Sequence, residues 1–190
     1  MKTSFETILQ GHQEAFQKTF VPAQYEVLDQ MAHAIIQALK SGRKLFLCGN
    51  GGSASDSQHI AAEFVGRFEK ERMSLPAIAL TSDIAALTAI GNDFGFEKVF
   101  SRQIEGLGKK GDILVVLSTS GRSSNILDVI TQAKQQGILT LGFTGKDGGI
   151  LKDVVDICFI AKSHKTSYIQ EAYMAALHGI CEVVETILFG

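Results

Sequence analysis

The chain is short of cysteine, of charge imbalance and of long unbroken apolar stretches, and each shortage removes a class of protein. Three cysteines stand among 190 residues, at positions 48, 158 and 181. Odd in number, far apart and without a CxxC spacing, they supply neither a disulfide framework nor a thiolate metal site. Cys48 and Cys158 sit in strand-like runs and read as small buried hydrophobes. Eighteen basic residues against 20 acidic ones leave a formal charge of −2. There is no basic excess to attract nucleic acid and no polybasic segment for a membrane surface. No apolar run approaches the roughly 18 residues of a membrane span, and Met1-Lys2-Thr3-Ser4-Phe5-Glu6 has no apolar signal core. Internal repeats and low-complexity segments are missing too. What remains is an ordinary globular chain, 45% hydrophobic, expected in a reducing cytoplasm. At this length it reads as one domain over 1–190, large enough to bury roughly 70% of its unfolded surface.

Apolar residues at Phe5, Ile8, Leu9, Phe16 and Phe20 fall mostly at helical spacing, and a second helical pattern runs from about 24 to 39. Beyond this helical region, 1–41, the periodicity changes. Over 42–190, short continuous apolar runs at 45–48, 77–80, 113–117, 138–143 and 154–160 are mostly separated by helical stretches. The alternation predicts an α/β fold, doubly wound, with a mostly parallel five-stranded sheet and helices on both faces. From 168 to 189, apolar residues occupy nearly every helical face. Such a helix must be covered on all sides, which one small sheet cannot do. A subunit interface shared with the N-terminal helices is therefore expected; the alternative is a helix sandwiched inside the monomer.

Two loops carry the most chemistry. Cys48-Gly49-Asn50-Gly51-Gly52-Ser53-Ala54-Ser55 follows the first apolar run, and Ser118-Thr119-Ser120-Gly121-Arg122-Ser123-Ser124-Asn125 follows the third. Each is a strand, a tight turn of small residues, and a helix. In a parallel sheet such turns lie at the carboxyl ends of the strands, where ligands bind. The positive end of each following helix favours an anion there. The hydroxyls of Ser118, Thr119, Ser120 and Ser123 suit a phosphate. Gly49-x-Gly51-Gly52 is not GxGxxG, and Gly145-Lys146 lacks the spacing of a P-loop, so neither nucleotide motif is present.

His59 and Glu63 lie four apart on the helix after the first loop and share one face, within reach of a ligand held at 50–53. Gln170, Glu171 and His178 are polar residues on the otherwise apolar last helix, where burial without partners costs free energy. His59, Glu63, Gln170 and His178 together would suit a divalent metal with nitrogen and oxygen ligands, zinc being the commonest. Gln170 and His178 are about 12 Å apart along a helix axis, so the composition of that site stays open from spacing alone. Taken alone, the His59–Glu63 pair reads more readily as a helix-surface contact, and His178 as an interface histidine. Arg67 either anchors a substrate or pairs with Glu63 or Glu71. Gly91-Asn92-Asp93-Phe94-Gly95 is either a helix break or a turn whose polar pair reaches a sugar hydroxyl. His12, His33 and His164 read as surface or packing residues.

Together, Gly49-Asn50-Gly51-Gly52-Ser53, His59-x₃-Glu63, Gly91-Asn92-Asp93, Ser118-Thr119-Ser120-Gly121, Thr144-Gly145-Lys146-Asp147-Gly148-Gly149 and Ile169-Gln170-Glu171…His178 resemble the bacterial phosphoheptose isomerases of the sugar-isomerase (SIS) domain superfamily. The resemblance spans about residues 40–190. It implies isomerisation of sedoheptulose 7-phosphate to D-glycero-D-manno-heptose 7-phosphate, towards the heptose of lipopolysaccharide core. It also implies a cytoplasmic homotetramer with active sites between subunits. By the family pattern Asn50, Gly51, Gly52, Asn92, Asp93, Ser118, Thr119, Ser120, Ser123 and Gln170 contact substrate, with Ser53 and Arg67 beside them. His59, Glu63, Gln170 and His178 are the positions for one Zn2+ per subunit, and Glu63 and His178 also transfer protons. The chain departs from the pattern at Arg122, where small polar residues or lysine are common, at Tyr173 in place of a frequent histidine, and at Met73 in place of a usual proline. A non-catalytic SIS protein, either a sugar-phosphate sensor or an adaptor for a replication initiator, is the competing reading. Such relatives tend to lack the groups found here at Glu63 and His178.

Overall fold

Five short, mostly apolar strands are best buried as a parallel sheet covered by helices above and below. The structure, a computed structural model, describes residues 4–190. Strands β1 (Leu45–Gly49), β2 (Ala77–Ala79), β3 (Ile113–Ser118), β4 (Leu139–Gly145) and β5 (Ile157–Ala161) lie in the order β2-β1-β3-β4-β5, all parallel. Alternate residues feed two cores. Leu45, Leu47, Ile113, Val115, Leu117 and Phe143 face α2 (Pro22–Lys40), α3 (Gly52–Val65) and α8 (Thr166–Phe189). Phe46, Cys48, Leu114 and Val116 face the opposite layer, built from α5 (Ser101–Leu107), α6 (Ser124–Gln135) and α7 (Leu151–Val154). The expected fold class is therefore the observed one.

Local chemistry sets the ends of the N-terminal helices. In α1 (Phe5–Thr19), Ser4 accepts a bond from the amide of Thr7, while Pro22 opens α2 at a position where its missing N–H costs nothing. Two expectations need correcting. The run at 154–160 is not all strand: Val154 ends α7, and β5 begins only at Ile157. Val154 and Val155 pack against the second core as helix end and turn, so their apolarity answers to burial, not to strand pairing. The 91–95 segment is not a turn either. It forms the last turn of α4 (Ile84–Phe94) with Gly95 as its cap.

Helix α8 is long and apolar enough, by length and composition, to cross a membrane, although polar residues interrupt it and no unbroken apolar run marks it. Much of its apolar surface is covered by this chain itself, through α1, α2, α3, β4 and β5. Val183 and Ile187 stay exposed, as do Phe5 and Leu9 of α1 and Ile84, Phe94 and Phe96 on or beside α4. No residue of α4 is buried.

One ion pair ties the end of α3 to α8. Glu185 is 2% exposed, and its carboxylate accepts the backbone N–H groups of Phe68, Glu69 and Lys70 as well as Nε of Arg72 at 2.7 Å. Arg72 in turn donates to the carbonyls of Glu63, Phe64 and Met73. Burial alone would raise the pKa of Glu185, but the three amides and the guanidinium outweigh it and bring it down to about 2. Removing one partner of a buried pair costs about 3–5 kcal/mol, so Glu185→Ala is expected to lose that much stability to urea at pH 7. The folded-state pKa lies below the ordinary 4.5. The carboxylate's contribution is therefore complete above pH 4.5 and lost as pH falls through about 2. The gap in unfolding free energy between parent and variant should narrow over that window; a gap unchanged at pH 2 would show that the charge is not what holds the segment.

Candidate active site

In a sheet of this order the direction of winding reverses between β1 and β3, and the crevice at their carboxyl ends is where ligands bind. The two loops singled out from sequence leave the sheet at that place. They are stitched together by a reciprocal carboxamide pair: Asn50 Nδ2 donates to Asn125 Oδ1, and Asn125 Nδ2 donates to Asn50 Oδ1, both at 2.8 Å. Gly51 turns the first loop at φ +57°, a conformation that disfavours any side chain. In the second loop Gly121 has φ +62°, and a Cβ there would collide with the carbonyl of Gly148, so this loop lies directly against the one after β4. Ser118 Oγ accepts from the amide of Gly121, and Ser120 Oγ from that of Arg122. Arg122 pairs with Asp147 of the neighbouring loop at 2.8 Å, which further links the two. Ser123 precedes α6 without a side-chain capping bond, so its hydroxyl and the first amides of that helix are available to an anion.

Helices α3 and α8 bring the chemical groups together. Ligand atoms of His59, Glu63 and His178 lie within 4.8 Å of one another. Nε2 of His59 is 3.1 Å from Oε1 of Glu63. The His178 ring meets that of His59 edge-on at 5.1 Å and is stacked by Phe68 at 5.8 Å. Two imidazoles and a carboxylate at this separation are a chemically sound donor set for zinc or a similar divalent ion.

Gln170 lies on the same helix but makes a different contact. Its Nε2 donates to Asp56 Oδ2 at 3.0 Å, and its amide rests on Gly52, where a Cβ would collide with it. Tyr173 OH donates to the same Asp56 oxygen at 3.0 Å and shares a bond with Ser53 Oγ at 2.8 Å. Burial holds the Tyr173 phenol above its ordinary pKa, so it stays protonated. The other expected residues are not drawn into the cluster. Ser53 is buried behind Tyr173, and Asn50 is paired with Asn125. Arg67 is exposed beyond the end of α3 and forms an ion pair with neither Glu63 nor Glu71 among the described residues. Asn92 and Asp93 are exposed on α4 and bonded to each other at 2.7 Å. His12, expected to be a surface or packing residue, packs on the ring of Tyr168 and pairs with Glu171.

Sequence reasoning passed over Asp56, Phe68 and Asn125. Asp56 could have been found, because Asp56, His59 and Glu63 fall at i, i+3 and i+7 on one helical stripe. Phe68 stands outside any helix and left no periodic signal.

These features define the class: an α/β protein of the SIS type, whose domain model matches residues 12–145. Similar proteins narrow it further. A phosphoheptose isomerase of a Nitratiruptor species is 49% identical over 97% of this chain and 98% of its own length. That of Clostridium acetobutylicum is 48% identical over 100% and 97%. The solved phosphoheptose isomerase of Neisseria gonorrhoeae superposes with a TM-score of 0.85 at 39% identity, covering 96% of this chain and 95% of that one. The chain belongs to the phosphoheptose isomerases of the SIS superfamily, and it is an isomerase. Because any Cβ at residue 52 would displace the Gln170 amide, Gly52→Ala is expected to lower kcat/KM by roughly 10²-fold with little change in melting temperature. A kinetically normal Gly52→Ala would remove Gln170 from the working site.

Proposed function

We propose that the chain converts sedoheptulose 7-phosphate into D-glycero-D-manno-heptose 7-phosphate, feeding the heptose of lipopolysaccharide core, in the cytoplasm. The observation that carries the chemistry is the convergence of Glu63 and His178 beside a crevice fit for a phosphate. The hydroxyls of Ser118, Thr119, Ser120 and Ser123, with the first turn of α6, hold the phosphate and so fix the far end of the sugar. Glu63 removes the proton from C1, beside the C2 carbonyl, and returns it to C2. His178 carries the accompanying proton from O1 to O2, so the enediol collapses to the aldose with no net change in atoms. Oε1 of Glu63 faces His59, which leaves Oε2 for the carbon acid.

His59, Glu63 and His178 would hold one Zn2+ per subunit, with Oε1 of Gln170 as the fourth donor. The ion would supply polarisation of the carbonyl and stabilisation of the developing oxyanion. We also propose a homotetramer with active sites between subunits. Two features support it: the uncovered apolar surface of α1, α4 and α8, and the exposure of Asn92 and Asp93, whose side chains bond to each other and not to the other site residues among the described residues. Light scattering that found a monomer at working concentration would overturn the tetramer.

The direct test is an NMR assay of heptose 7-phosphate formation. Glu63→Gln is expected to reduce turnover at least about 10²-fold with an unchanged circular dichroism spectrum, and retention of most activity would end its assignment as the base. A stringent chelator is expected to abolish turnover and added zinc to restore it. Full activity in the chelated protein would leave Glu63 and His178 as plain acid–base groups.

A further inference from the structure

We propose that Tyr173 is a positioning residue that sets which way the Gln170 amide faces. This rests on the reading of Gln170 as a site residue. The phenol is fully buried, and its hydroxyl has two partners, Ser53 Oγ at 2.8 Å and Asp56 Oδ2 at 3.0 Å. Oδ2 of Asp56 also receives Nε2 of Gln170 at 3.0 Å.

A carboxylate can only accept, so the NH₂ end of the amide must turn towards Asp56, and Oε1 must turn away from it. Among the described residues Oε1 accepts no hydrogen bond, and it is the one atom of that side chain able to bind a cation or a sugar hydroxyl. Besides Asp56, the amide's close neighbours are Gly52, a backbone without a side chain, and the Tyr173 hydroxyl itself. Without the Tyr173 hydroxyl, Asp56 would be free to turn towards solvent, and the amide could rotate so that it presents NH₂ where an acceptor is needed. Neither a metal ion nor a hydroxyl donor could use that face.

The experiment is a double-mutant cycle with Tyr173→Phe and Gln170→Ala. Zinc is titrated calorimetrically into metal-stripped protein, and kcat and KM are measured on sedoheptulose 7-phosphate. Residues that orient metal ligands are worth about 10–100-fold in affinity or activity. Tyr173→Phe is therefore expected to weaken zinc binding and to lower kcat/KM by at least about 10-fold. In the Gln170→Ala background the same substitution should cause no further loss, since the group it orients is gone. Losses that multiply independently in the double variant would overturn the proposal, because a merely structural tyrosine weakens any background alike. A Gln170→Ala variant with parental affinity and kinetics would overturn both the proposal and the reading beneath it. A damaging Gln170→Ala beside a harmless Tyr173→Phe would overturn the proposal alone. Melting temperatures of all four proteins separate unfolding from these effects, and Tyr173→His, which keeps a hydrogen-bond donor, should retain zinc affinity if a donor to Asp56 is what matters.

Discussion

The lateral packing of α3 against α8 is the contact on which the rest of the site depends. Numbers rise together along the two helices: Ser53 and Asp56 meet Tyr173 and Gln170, His59 and Glu63 meet His178, and the segment after α3 meets Glu185. The helices therefore run in the same direction, as two helices that each follow a parallel strand must when they cover the same face. A shift of α8 by one turn, about 5.4 Å, would break all three levels at once. The buried Arg72–Glu185 pair at the far end and the Tyr173 hydroxyl at the near end both resist that slip. A charge pair in such a place is weak evidence for stability, since desolvation offsets much of its attraction, but it does specify register.

Much of the fold was legible because both sheet faces are buried. Continuous apolar runs such as that at 113–117 have few other uses in a chain of this size, and Gly51 and Gly121 mark turns that other residues would strain. The failures share a cause as well. Val154 and Val155 are apolar because they pack, and a burial signal carries no information about whether the backbone pairs. Gly91, inside α4, looked like punctuation because glycine is a poor helix former, yet the helix runs on to Phe94.

The site divides along a similar line. His59 and Glu63 were readable because helical spacing places them on one stripe. The approach of His178 to them depends on how two helices far apart in the chain pack, which no local pattern encodes. The partner of Gln170 was hidden for the same reason. An eight-residue gap on α8 left the composition of the centre open. The structure sets it beside the seven-residue gap between Asp56 and Glu63, so that Gln170 and His178 each meet their own partner on α3.

That long separation bears on how the protein comes into being. Asp56 and Gln170 are 114 positions apart, so during synthesis both loops at the carboxyl ends of β1 and β3 have emerged well before the donors on α8 exist. A nascent or clipped chain could present sheet and loops and still be unable to gather His59, Glu63 and His178 into one cluster. The cluster of His59, Glu63 and His178 thus forms only with the docking of α8.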